Sequence, residues 1–364
     1  MERELESLLR EIPQPDETAM EAARRRQAQL AKPPGSLGRL EELSIQLAGI
    51  TGRIDNYIER KHLLVFAADN GVVAQGISSA PQSVTLQQTV NLTRGKTGAA
   101  VLARQFGCRI TVCDVGVNAD IVDNAVLNRK IAYGTADMTA GPAMTRSQAL
   151  QALRTGYDLA RQTEADVLGV GEMGIGNTTT SSAVLAVLLG VDADTVTGRG
   201  GGLTDESFQR KKAAIRQAIA INRPDGTDVM DVLSKVGGFD IAAMCGAFLG
   251  AAASRRPAVI DGFISAVAAL CAVRLYPRVR AFLVPSHASF EIGYRMAMDA
   301  MGLQPILLLG MRLGEGSGCP LAFAVLEAAC VVINDMATFD QAGIDDGYLE
   351  EIRQGDRFTV EGRT

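Results

Sequence analysis

Apolar and polar positions follow two rhythms along this chain. In the first 50 residues, MERELESLLREI, ETAMEAARRRQAQLA and RLEELSIQLAGI repeat apolar positions at helical spacing, and KPPGSLG interrupts the pattern before the third segment. From residue 60 the pattern changes to short continuous apolar runs: LLVFAA (63–68), RITVCDVGV (109–117), ADVLGV (165–170), PAVIDGF (257–263), RAFLVPS (280–286) and PILLLG (305–310). Gly, Pro or charge bounds each run, and helix-like sequence separates most of them. Continuous apolar strands alternating with helices predict a parallel sheet covered on both faces. The expected architecture is a doubly wound, Rossmann-like α/β domain over 51–334, with a mainly parallel sheet of about six strands. A small helical domain is expected from 1–50 with part of 335–364.

Composition narrows the class. The 364 residues are 47% hydrophobic and 21% charged, which fits a chain with a large packed core. A net charge of −5 with no long basic run argues against nucleic acid as a partner. No apolar stretch approaches the length that spans a bilayer, about 18 residues or more, and Met1–Arg26 is densely charged, unlike a secretory signal. Cys108, Cys113, Cys245, Cys271, Cys319 and Cys330 form no C-x-x-C and mostly sit in apolar runs, so reduced core thiols in a cytoplasmic protein are expected. With only His62 and His287, a His-rich metal site is excluded and carboxylates become the candidate bases.

In open α/β sheets ligands bind beyond the carboxyl ends of the strands. The segments that follow the strand candidates, ADNGVVAQG, GVGEMGIGNTTT, DGFIS, SHASFE and GMRLGEGSG, are rich in Gly, Asn, Ser, Thr and acids, as one assembled pocket would be. GMRLGEGSG sets the lone acid Glu315 among glycines before the helix-like LAFAVLEAACVVI. Each glycine costs roughly 0.5–1 kcal/mol relative to alanine in regular structure, so the arrangement suits an acid that must face a ligand. GVGEMG matches G-x-G-x-x-G after a strand, which raises an NAD(P)-dependent oxidoreductase as an alternative; the expected second strand ending in an acid is poorly formed. TGRGGGLTDE (197–206), ahead of a helix capped by Thr204, can turn the Gly200–Gly202 amides onto a phosphate, with Lys211 or Lys212 reaching in. Asp205 and Glu206 oppose an anion on the helix axis itself. Glu172, then Asn177 and three threonines, sit at a strand exit where a ribose or phosphate could bind. His287, Ser289 and Glu291 suggest a hydrolase triad, but the chain has no G-x-S-x-G elbow.

Taken together, KPPGSLGRLEEL, ADNGV, APQSVTLQQTVNLTRGKTGA, GEMGIGNTTTSSA, TGRGGGLTDE, GGFDIAAMCGAFLGAA, VIDGFISAVAAL and GMRLGEGSG resemble, in order, the nicotinate-nucleotide:dimethylbenzimidazole phosphoribosyltransferase family. The resemblance runs from about residue 30 to 338. It implies transfer of the phosphoribosyl group of nicotinate mononucleotide to a benzimidazole nitrogen, with inversion at the anomeric carbon and release of nicotinate. It implies Glu315 as general base and Glu172 as stabiliser of positive charge at the ribosyl centre. It places the phosphate on Gly200, Gly201, Gly202 and Lys211, and sets Gly174, Gly176, Asn177, Thr178, Ser289, Glu291 and Gly314 around the nucleotide. The base is expected against Ala80, Val84, Gln88, Met173 and Leu313. No cofactor and no metal are implied, and a homodimer is. Asn70 stands where the family usually has His, Ala80 where Ser is expected, and Ile292-Gly293-Tyr294 where Pro-Gly-His is usual. A non-catalytic nucleotide-binding relative is the remaining alternative.

Overall fold

The six predicted runs and the six strands overlap in five places. A computed structural model describes residues 2–349. Its sheet consists of β1 (Lys61–Ala68), β2 (Cys108–Gly116), β3 (Val126–Asn128), β4 (Val167–Met173), β5 (Ala258–Ile260) and β6 (Leu283–Pro285), in the order β3-β2-β1-β4-β5-β6. Every pairing is parallel. The sixth run, PILLLG, is not a strand: Leu307 forms one isolated parallel bridge with His287, and Leu308 and Leu309 are exposed at 83% and 55%. The run borders the sheet but has no layer over it to bury its leucines. The sheet takes its sixth member from β3, three residues that carry no continuous apolar signal.

Strand order fixes where a ligand fits. The chain proceeds from β1 to β2 and β3 on one side, then returns to place β4, β5 and β6 on the other. Loops leaving β1 and β4 therefore diverge, which opens a crevice at their carboxyl ends. Leu63–Ala68 are wholly buried, so this crevice has a rigid floor.

The helix Phe239–Ala253 is buried on nearly every side, as its uniformly apolar sequence requires. It packs on the helix Arg146–Gln162 through glycines; a Cβ on Gly246 or Gly156 would run into the carbonyl oxygens of Leu153 or Ala243.

Residues up to Pro13 with Arg60–Phe323 form one compact unit, which holds the sheet. Gln14–Glu59 and the chain from Ala324 form a second. In the second unit, helices Glu17–Gln29 and Arg39–Thr51 bury Ala19, Ala23 and Ala48 against Ile333. Asp16 caps the first of these helices, accepting from the Ala19 N–H at 2.9 Å. Lys32 and Glu41 form a buried ion pair at 2.7 Å.

Candidate active site

The first acid arrives on β4. All of Val167–Met173 is buried, and GVGEMG runs through the strand instead of turning after it. The glycines serve packing: a Cβ on Gly169 would lie 2.7 Å from that of Cys319, and one on Gly171 2.6 Å from the Gly316 Cα. A dinucleotide loop needs those glycines in the turn that opens a helix, so the dinucleotide expectation is corrected. Glu172 ends fully buried. Its Oε1 accepts the Glu315 N–H at 3.3 Å, and its Oε2 accepts from Asn177 Nδ2. The same Asn177 amide donates to Asp240 Oδ2 at 3.0 Å, bridging two carboxylates. Burial, with Asp240 and Asp261 nearby, pushes Glu172 up to about 8, and burial raises Asp240 to about 6.

The second acid rides on a turn. Gly314, Glu315 and Gly316 have φ of 87°, 63° and 83°, all left-handed. Glu315 is 4% exposed, and its Oε2 accepts the Ala99 N–H at 3.1 Å. The Thr97 hydroxyl and the Gly98 amide also serve this carboxylate, at the start of the helix Gly98–Gln105 capped by Thr97. Burial raises its pKa, and these hydrogen bonds oppose the rise. Glu315 is thus held by backbone dipoles instead of a cation, and it still lines the cleft.

Another part of the cleft wall is glycine-rich and backed by a buried lysine. Gly200 and Gly201 line it; Gly202, φ 107°, lies outside. Lys211 is 1% exposed and sits behind the wall, donating to Thr178 Oγ1 and the Gly198 carbonyl, both at 2.9 Å. Burial lowers its pKa to about 8, and Glu291 partly restores it. Lys212 turns away to pair with Asp194 at 3.6 Å.

Of the remaining expected residues, Gly174, Gly176, Asn177, Thr178, Ser289, Glu291 and Gly314 line the same cleft, as do Ala80, Met173 and Leu313. Val84 and Gln88 do not. They lie on the helix Ser83–Thr93, where Gln88 Oε1 accepts from Asn91.

Comparison with known proteins places the chain. A family model described as phosphoribosyltransferase (DBI_PRT) matches residues 12–344. A nicotinate-nucleotide–dimethylbenzimidazole phosphoribosyltransferase of Clostridium perfringens is 48% identical over 359 residues, covering 98% of this chain and 99% of the relative. The chain belongs to the nicotinate-nucleotide:dimethylbenzimidazole phosphoribosyltransferase family. A second relative of the same name, from Ruminiclostridium cellulolyticum, is 50% identical over 329 residues, with 90% of this chain and 94% of its own covered. The solved structure of the Thermus thermophilus protein of that name superposes with a TM-score of 0.86 at 40% identity, covering 91% of this chain and all of that one.

In this phosphoribosyltransferase chain, Asn70 and Tyr294, two of the positions expected to depart from the family pattern, are buried. Asn70 is fully buried, and Nδ2 reaches the Ile175 carbonyl at 3.4 Å while Oδ1 has no hydrogen-bond partner among the described residues. Gly293 packs on Phe263, where a Cβ would lie 2.5 Å from the ring, and Tyr294 is buried with no hydrogen-bond partner for its hydroxyl among the described residues.

Sequence reasoning missed several lining residues, among them Ser78, Ser79, Arg199, Arg312 and Asp261. The two arginines had a visible signal, since each stands in a glycine-rich segment, TGRGGG and GMRLGEG. His287, set aside with the triad, also lines the cleft; its Nδ1 meets Ser286 Oγ at 3.0 Å, and burial lowers its pKa to about 4.

Proposed function

We propose that this chain transfers the 5-phosphoribosyl group of nicotinate mononucleotide to 5,6-dimethylbenzimidazole or a similar base, giving α-ribazole 5′-phosphate and nicotinate. The bond from C1′ to the pyridinium nitrogen breaks, and its electron pair returns to the ring as neutral pyridine nitrogen. A benzimidazole nitrogen forms the new bond to C1′ from the opposite face, and its other N–H becomes acidic. Glu315 accepts that proton. A carboxylate whose pKa is raised by burial is suited to this near neutral pH. Glu172 answers the positive charge on the ribosyl centre. On its own it keeps its proton at neutral pH, with a pKa of about 8. A cation brought against it favours the carboxylate, so donor binding and ionisation of Glu172 support each other. The Gly200 and Gly201 amides take the phosphate, and Lys211 supports that wall from behind through Thr178 and Gly198.

The observation that carries this reading is the pairing of Glu172 and Glu315, joined by one backbone hydrogen bond, in a cleft that Gly200 and Gly201 also line. Incubation with nicotinate mononucleotide and dimethylbenzimidazole, followed by chromatography, should yield nicotinate and the riboside phosphate in equal amounts. NAD-dependent hydride transfer without nicotinate release would reject the proposal. Glu315→Gln should lower kcat about 100-fold, the usual scale for loss of a general base; unchanged turnover would remove the proton-acceptor role. Competition among benzimidazoles, purines and phenolic bases then ranks acceptors. We also propose a cytoplasmic homodimer, which requires a sedimenting species of twice the 38.5 kDa chain mass.

A further inference from the structure

We infer that Asp261 is the positioning residue that holds the Gly314–Gly318 turn, and through it presents Glu315 to the cleft; this role rests on Glu315 acting as the base. Asp261 follows the last residue of β5 and is 2% exposed. Its two oxygens grip two backbone amides of this turn at once: Oδ2 accepts the Gly316 N–H at 3.0 Å and Oδ1 the Gly318 N–H at 2.7 Å. Its own backbone is fixed from both sides. The Asp261 N–H donates to Ser265 Oγ at 3.1 Å, and Ser265 Oγ donates to the Val170 carbonyl of β4 at 2.9 Å. On the other side, Ser286 Oγ donates to the Asp261 carbonyl at 3.2 Å. The turn is therefore tied to β4, β5 and the segment after β6 through one carboxylate.

Such a clamp has a purpose in the backbone it restrains. Among the described non-glycine residues, Arg223, Arg255 and Glu315 have positive φ. Arg223 ends one helix and Arg255 follows the end of another, where left-handed residues are common. Glu315 ends no helix. A left-handed non-glycine residue costs on the order of 1–3 kcal/mol and persists when its surroundings over-determine it. Residues on both sides of Glu315 are pinned: Gly316 and Gly318 by Asp261, and Gly314 against Glu172, which leaves no room for a Cβ there. Asn at 261 keeps the shape but brings only one acceptor and turns an N–H2 toward a backbone N–H.

The test is a double-mutant cycle. Asp261→Asn should lower kcat roughly tenfold or more with KM for nicotinate mononucleotide changed less than about threefold. Placed on Glu315→Gln, the same substitution should cost little further, because both changes remove one function. Losses that multiply, or a KM effect alone, would overturn the clamp. Wild-type turnover by Glu315→Gln would instead strike the base assignment. Hydrogen exchange on the unchanged protein separates the two without any variant: the Gly316 and Gly318 amides should exchange as slowly as Val170 in β4. Exchange at the rate of an open loop would refute the clamp even if Glu315 proves essential.

Discussion

Glu315 shows how much a single residue can owe to distant ones. Its glycine-flanked setting was visible in the sequence, because an acid on a flexible ledge after an apolar run has little structural use. The atoms that hold it were not visible. Ala99 is 216 residues away along the chain, and Asp261 is 55 from Gly316. No local pattern encodes such contacts; they follow from how β4, β5 and the helix Gly98–Gln105 converge. Gly171 illustrates the same point. In the sequence it belongs to a nucleotide-type motif, whereas in the fold it lets β4 approach the turn that carries Glu315. Gly171→Ala should therefore push that turn outward, with its Cβ 2.6 Å from Gly316. We expect a loss of about 1–3 kcal/mol by denaturant unfolding, the usual cost of overpacking, and a larger proportional loss of turnover. A variant as active and as stable as the parent would refute the packing role.

At the scale of elements, the rhythm of apolar runs identified five strands and the N-terminal helices. It failed where length and burial part company. PILLLG has the composition of a strand, but nothing covers Leu308 and Leu309. The edge strand β3 has three residues and only Val126 buried, too little for a pattern. The helix pair Arg146–Gln162 and Phe239–Ala253 makes a firmer prediction. Gly246→Ala would force a methyl into the Leu153 carbonyl, and neither backbone can yield without parting the helices. This should lower the thermal midpoint by roughly 4 °C or more, since about 2–4 °C accompanies each kcal/mol in chains somewhat smaller than this one. A control such as Gly141→Ala, where a Cβ meets nothing, should leave it unchanged.

The molecule as a whole gathers its buried acids in one place, and this sets its response to pH. Glu172, Asp240 and Asp261 stand at about 8, 6 and 7, above ordinary values of 4.5, 3.8 and 3.8. A carboxyl whose folded pKa is raised binds more protons folded than unfolded, so its contribution to stability declines as pH rises from the lower value to the higher. Burial also lowers His62 and His287 to about 4, and each supplies the opposite slope up to its ordinary value of 6.5. The thermal midpoint should accordingly fall between about pH 6.5 and pH 8, and Glu172→Gln should flatten that decline. A midpoint that rises across this window would contradict the cluster as described.

The helix Gly98–Gln105 has a last consequence. Its amino end, where an incoming anion would ordinarily be welcome, is already occupied by the protein's own Glu315. A molecule with a charged tail and a flat ring thus meets a cleft with a built-in polarity. An anionic tail set against Glu315 would put like charges face to face, a polarity that agrees with the phosphate site proposed at the Gly200 bend.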